Sequence, residues 1–274
     1  MTGKKNDHVS VFHEDWRRSV TDNRKGESVR LLYVNPIATG VWDDDILQIL
    51  KGYKEPGTHV DVTHLEQSTG DCSGPFLPST PDLYDDLFTI MKYGEKYSYN
   101  GIMIGCAADP GLREATYMRQ VPIFGPLQAG LYLAALLGHR ISPLVPSHDV
   151  EEKGALNWHE NSIRRYGIER DRITDRPVKV GQPPDAVMER LLREKRWDEV
   201  KEAVMSRFRD SATQDGVTQA KAAVEEDEAE VLLFGCNFWG RLLAPVAEAV
   251  GALVLDPVAA MLKTAGIVIT SCVF

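Results

Sequence analysis

One short pattern occurs twice in the chain and limits the folds open to it. Gly101-Ile-Met-Ile-Gly-Cys106-Ala-Ala-Asp-Pro and Val231-Leu-Leu-Phe-Gly-Cys236-Asn-Phe-Trp-Gly are each an apolar run of strand length that ends in Gly-Cys and turns toward a helix. A second matching piece follows each copy, Val121-Pro-Ile-Phe-Gly-Pro126 after the first and Ala252-Leu-Val-Leu-Asp-Pro257 after the second. Cys236 lies 130 positions after Cys106 and Pro257 lies 131 positions after Pro126, so the internal spacing is nearly kept. Two cysteines therefore hold equivalent places in two related halves.

The flanking sequence supplies the remaining elements. Val29 to Val34 is an apolar strand stopped by Asn35-Pro36 and followed by Ile37-Ala-Thr39-Gly, after which Trp42, Ile46, Ile49 and Leu50 fall at helical spacing. Thr58 to His64 alternates as a strand, Glu66 to Pro81 is a long Gly/Ser/Thr/Pro loop carrying Cys72, and Asp82 to Tyr97 is an amphipathic helix. From Cys106 the order is turn, helix from about Gly111, strand Val121 to Phe124, helix Gln128 to Leu137. Ile141 to Pro146 then takes the place of the first strand, and a charged, largely helical region with a short strand candidate near Pro177 runs to Glu230. After Cys236 a helix through Leu242 to Val250, the strand Leu253 to Leu255, a helix at Pro257 to Ala265 and a strand-like tail from Gly266 are expected.

Alternating apolar strands and amphipathic helices call for parallel sheets covered on both faces. The expected fold is α/β, with two similar lobes, each with a parallel-sheet core, related by a pseudo-two-fold and separated by an active-site cleft. Residues 1–28 form an N-terminal arm, 29–138 the first lobe, completed by the C-terminal segment 258–274, and 139–257 the second lobe.

A formal net charge of −9 argues against a nucleic-acid partner, which would need a basic footprint. No apolar run approaches the roughly 20 residues that span a bilayer, and residues 1–28 lack the apolar core of an export signal, so a cytoplasmic location is expected. There Cys72, Cys106, Cys236 and Cys272 are expected as free thiols, with no spacing that suggests zinc.

A single buried cysteine is ordinarily a small hydrophobe. Two at the same strand end in both halves suggest chemistry, because ligands of open α/β sheets bind outside the carboxyl ends of the strands. Each thiol is also expected beside a helix N-terminus, which would favour the thiolate and lower its pKa. Facing each other across one cleft, one thiolate would take a proton from a carbon acid while the opposite thiol delivers one to the other face, inverting the centre. Backbone N–H groups after each cysteine would hold the enolate oxygens.

Asn35-Pro36, Gly105-Cys106-Ala-Ala-Asp109-Pro-Gly-Leu112, Val121-Pro-Ile-Phe-Gly125 with Gln128, Arg164-Arg-Tyr-Gly167 and Leu233-Phe-Gly-Cys236 together resemble the aspartate/glutamate racemase superfamily, in particular its hydantoin racemase branch. The resemblance implies a cofactor-independent, metal-free racemase or epimerase acting on a hydantoin-like or amino-acid-derived small molecule, and a homo-oligomer is expected beside it, with the tail from Gly266 packed on a subunit partner. It implies Cys106 and Cys236 as the acid/base pair, and Asn35, Thr39, Ala107, Asp109, Gln128, Asn237 and Phe238 as substrate contacts. The chain departs from the branch's pattern at Ile37, where Asn is usual, at Asn237-Phe238-Trp239 after the second cysteine, and at Gln128, where Glu is frequent. Those changes touch the substrate rather than the thiols. Two alternatives stay open: a decarboxylase, cis/trans isomerase or lyase of the same superfamily using the same cysteines, and a non-catalytic two-lobed binding protein.

Overall fold

A computed structural model describes residues 18–19, 29–65, 83–97, 99–115, 117, 121–147, 164–174, 176–180, 185–242 and 244–271. Cys72 with its loop, Cys272, and the arm apart from Arg18–Ser19 lie outside the described residues. The first sheet contains β1 (Arg18–Ser19), β2 (Val29–Asn35), β3 (Thr58–His64), β4 (Gly101–Ile104) and β5 (Ile123–Phe124), in the order β1-β3-β2-β4-β5. All neighbours are parallel except β1, which lies antiparallel on the outer edge of β3. The second sheet contains β6 (Ile141–Ser147), β7 (Arg176–Lys179), β8 (Val231–Phe234) and β9 (Leu253–Leu255), in the order β7-β6-β8-β9 and parallel throughout.

The repeat seen in the sequence is a repeat of hydrogen bonds. Val34 pairs with Ile104 in one sheet and Leu144 with Phe234 in the other. One residue on, the Gly105 N–H donates to Val34 O at 2.8 Å and the Gly235 N–H to Leu144 O at 2.8 Å. Each ladder thus runs out at the glycine, and the next residue, the cysteine, is the first to leave the sheet.

Burial on both faces explains the unbroken apolar runs. Val29, Leu31 and Tyr33 of β2 pack toward α1 (Asp43–Tyr53), and Leu32 and Val34 toward α2 (Leu83–Lys96). In the charged region α5 (Asp185–Arg193) and α6 (Trp197–Ser211) keep Arg190, Arg193 and Glu194 in solvent and bury Leu191 and Val200 against Ile37 and Trp42. After a turn of wider helix, α7 (Val217–Glu225) lays Ala220 and Ala223 on the second sheet with Leu232 and Phe234.

Two helices change places between the halves. α4 (Pro126–Leu137) follows the first sheet's last strand, yet Leu127, Leu131 and Ala134 pack on Ile141, Val231 and Leu233 of the second sheet. Its Gly130 lets the sheet close in, since a Cβ there would lie 2.6 Å from Leu233. α9 (Pro257–Ser271) follows the second sheet's last strand and returns Val258, Met261, Leu262 and Ala265 to the cluster of Leu31, Tyr33 and Met103 in the first. α4 and α9 lie against each other where the lobes meet.

Three sequence expectations change. The tail from Gly266 is not a strand: α9 continues to Ser271, because Val268 and Ile269 pack on the first lobe's core and that contact outweighs the β propensity of Ile267-Val-Ile-Thr270. Behind Cys106 the helix is one turn, α3 (Leu112–Ala115). Behind Cys236 a 3-10 segment, Asn237–Leu242, precedes the short α8 (Ala244–Ala249). Among the described residues no helix is long and apolar enough to cross a membrane.

Candidate active site

Both Gly-Cys turns sit at the carboxyl edge of their sheets and share one neighbour, Tyr33. This side chain is fully buried, and its ring lies where Gly105 has no side chain: a Cβ there would come within 2.5 Å of the ring and hydroxyl. Its hydroxyl accepts a hydrogen bond from Asn237 Nδ2 at 3.2 Å. One tyrosine therefore touches the residue before Cys106 and the residue after Cys236. Burial raises the Tyr33 pKa, and the negative charge of either thiolate adds to the rise, as that of Cys106 adds to the burial-driven rise of Cys236.

Cys106 and Cys236 are free thiols, each half-buried. The Cys106 sulfur accepts from the Ala108 N–H at 3.4 Å, while the Phe238 and Trp239 N–H groups favour the Cys236 thiolate. These donors do not win. Burial raises the Cys106 pKa to about 11 and that of Cys236 to about 12, against an ordinary 9.0. The expectation of lowered pKa values is corrected: α3 starts only at Leu112 and cannot support Cys106, and the 3-10 segment behind Cys236 offers two donors against loss of water.

A measurement follows from the sign of this shift. A rise of two units leaves the Cys106 thiolate about a hundredfold scarcer near pH 8, so iodoacetamide should modify the native thiols at least about a hundredfold more slowly than the same thiols in the unfolded chain. Above pH 9.0 the unfolded chain sheds protons that the native thiols keep, so both cysteines make stability fall as pH rises toward 11 and 12. Equal alkylation rates in native and unfolded protein would count against buried thiols.

The other candidate residues divide into groups. Asn35 and Thr39 stand at the end of β2: Thr39 Oγ1 accepts from the Val41 N–H at 3.3 Å, and Asn35 Nδ2 donates to Asp43 Oδ1 at 3.5 Å. Asn237 and Ala107 are buried next to their cysteines. The side-chain oxygens of Asn35 and Asn237 are buried and accept no hydrogen bond among the described residues. Phe238 is half-buried, 6.2 Å from the Trp42 ring, and packs with Ile37, which explains why an apolar residue stands at position 37. Trp239 is core, edge-on to Phe208 and Phe234. Gln128 is half-buried in the first turn of α4. Asp109 is buried and accepts three hydrogen bonds from the protein itself, from Leu127 N, Gln128 N and the Tyr166 hydroxyl.

Sequence reading missed Tyr33, which looks like one more apolar strand residue, and a His64–Asp43 pair, Nδ1 to Oδ2 at 2.8 Å, beside Asn35. The alternation of β3 with β2 could have signalled the second, because His64 ends β3 where Asn35 ends β2.

Two parallel α/β lobes with a Gly-Cys turn at the edge of each define a class of two-lobed fold. The Asp/Glu/Hydantoin racemase family profile matches residues 31–265. The chain belongs to that family of racemase-type isomerases. Among relatives, the hydantoin racemase of Pseudomonas sp. (strain NS671) is 25% identical over 198 residues, 68% of each chain. That of Rhizobium meliloti is 24% identical over 238 residues, 85% of each. Among solved structures, allantoin racemase from Klebsiella pneumoniae superposes with a TM-score of 0.64 at 19% identity, covering 89% of each chain.

Proposed function

We propose that the chain is a cofactor-independent racemase or epimerase in which Cys106 and Cys236 act as a two-base pair on a carbon acid next to a carbonyl. The observation that carries this reading is the common neighbour Tyr33, lodged against Gly105 and hydrogen-bonded to Asn237, which brings two equivalent Gly-Cys turns to one place. One thiolate takes the proton from the substrate carbon and becomes a thiol. The electron pair passes to the neighbouring carbonyl as an enolate, and the opposite thiol protonates the other face and becomes the thiolate. Protons and charge balance without an oxidant or reductant. Burial makes each thiolate a stronger base while lowering its share at neutral pH, so the rate is expected to rise with pH toward about 11 and to fall above about 12, where the second thiol also loses its proton.

Asn35 and Asn237 favour a cyclic ureide or related amide substrate, because each has a buried oxygen in want of a donor and such substrates carry N–H groups beside the reacting carbon. Named relatives act on hydantoins, which supports the same class. Thr39, Ala107, Gln128 and Phe238 are proposed to complete the contacts, in a small-molecule site of a homo-oligomer. The test is exchange in deuterium oxide with polarimetry on enantiopure 5-substituted hydantoins. Loss of rotation in step with deuterium uptake is expected; exchange with full retention, or no exchange with any hydantoin, would overturn the assignment.

A further inference from the structure

Two carboxylates do the same work in the two halves from different positions in the repeat. Asp109, in the turn after Cys106, accepts from the backbone N–H groups of Leu127 at 3.1 Å and Gln128 at 2.8 Å, in the first turn of α4. Asp256 accepts from Val258 at 2.8 Å and Ala259 at 3.0 Å, in the first turn of α9. Under the offset of 131 from Pro126 to Pro257, Leu127 corresponds to Val258 and Gln128 to Ala259, so the same two donors are satisfied each time. Under the same offset Gly125 corresponds to Asp256. The cysteine offset of 130 would pair Asp109 with Trp239, but in space it is Gly240, one residue on, that stands against Asp256 as Asp109 stands against Gly125. Aspartate and glycine have traded places.

Space explains the glycines. A Cβ on Gly125 would clash with the Asp109 carboxyl group, and a Cβ on Gly240 would clash with Asp256 Oδ2. A phenol from the opposite half of the chain completes each site: the Tyr166 hydroxyl donates to Asp109 Oδ2 at 2.6 Å, and the Tyr53 hydroxyl to Asp256 Oδ2 at 2.9 Å. Asp109 thus ties its own cysteine turn to the first turn of an exchanged helix and to a side chain of the other half, and Asp256 ties the other exchanged helix to Tyr53 while packing against Gly240 in the segment behind Cys236.

We infer that Asp109 and Asp256 are equivalent positioning residues, which fasten the Cys106 and Cys236 turns to the exchanged helices and so set where the two thiols stand, and that the carboxylate works from either the turn or the helix cap. Neither role requires contact with substrate. The catalytic readout rests on the racemase reading above; the folding and thiol readouts do not.

The test is a set of exchanges. Asp109→Gly removes the carboxylate without backbone strain, because Asp109 already holds a left-handed φ of 48° that glycine adopts freely. It should lower the melting temperature and change the alkylation rate of Cys106 roughly fivefold, the ratio that corresponds to the typical worth of a helix cap, with Cys236 much less affected. The double variant Asp109→Gly/Gly125→Asp copies the arrangement of the second half. It should return both readouts to within a few-fold of the parent, and kcat with them at unchanged KM. If the single variant does not fold, recovery of folded protein in the double variant is the same rescue. A double variant as impaired as the single one, or a single variant unchanged in melting and in Cys106 alkylation, overturns the inference. A rescued double variant with raised KM would instead place Asp109 on the substrate and overturn the claim that it only positions. Should no candidate substrate racemise in the parent, the proposed function fails while melting and alkylation still decide the exchange.

Discussion

Cys106→Ser and Cys236→Ser should each lower racemisation by about three orders of magnitude, within the range of 10²–10⁴ that a positioned acid or base contributes. On the proposed two-base mechanism the two losses should not multiply in the double variant, because removing either thiol already breaks the proton path. The telling feature is handedness. With one base left, each variant should still wash deuterium into one enantiomer, Cys106→Ser into the one whose proton faces Cys236 and Cys236→Ser into its mirror image. The measurement is solvent-deuterium incorporation followed separately for each enantiomer. Equal residual exchange into both enantiomers, in either variant, would contradict a base on each face.

Trp239→Ala should cost about 3–5 kcal/mol of stability, the ordinary loss for a large buried aromatic, and lower the melting temperature by on the order of 10 °C. Trp239 is fully buried, edge-on to Phe208 and Phe234, and its indole N–H has no hydrogen-bond partner among the described residues. Trp239→Phe should therefore lose clearly less, because it keeps most of the ring and gives up only an unmet donor. Denaturant melts of the two variants, with KM measured beside them, check this. A stable Trp239→Ala protein with a sharply raised KM would put the ring in the substrate pocket instead. The distinction matters because Phe238 and Trp239 follow Cys236 in sequence, yet only Phe238 remains half-exposed.

Much of this was legible in the sequence because it depends on local patterning. Two apolar runs ending in Gly-Cys gave the paired sheets, since a buried parallel strand needs continuous apolar residues and the turn that follows needs glycine. What stayed hidden depends on contacts between distant residues. Nothing near Tyr33 says that Gly105 leaves room for its ring or that Asn237, far along the chain, donates to its hydroxyl. The run Ile267-Val-Ile-Thr270 favours a strand on propensity alone, and only the sheet it covers makes it helical. The thiol pKa values were misjudged for the same reason. A helix N-terminus can be guessed from neighbours in sequence, whereas loss of water is decided by residues from the whole chain. The traded Asp109 and Asp256 were visible as letters but had no meaning until the donors they meet were known.

The crossed packing of α4 and α9 has a consequence for synthesis on the ribosome. Once β2 to β5 have emerged, the face of that sheet formed by Leu31, Tyr33 and Met103 still awaits Val258, Met261 and Leu262, more than a hundred residues downstream. Meanwhile α4, already made, has its own docking surface on β6 and β8, the latter not yet translated. A nascent chain must therefore carry bare apolar surface while more than a hundred further residues are made, an exposure of the kind that recruits chaperones and slows folding. The same geometry means that the halves gain their solubility together, at the moment residues 257–271 swing back to close the first sheet.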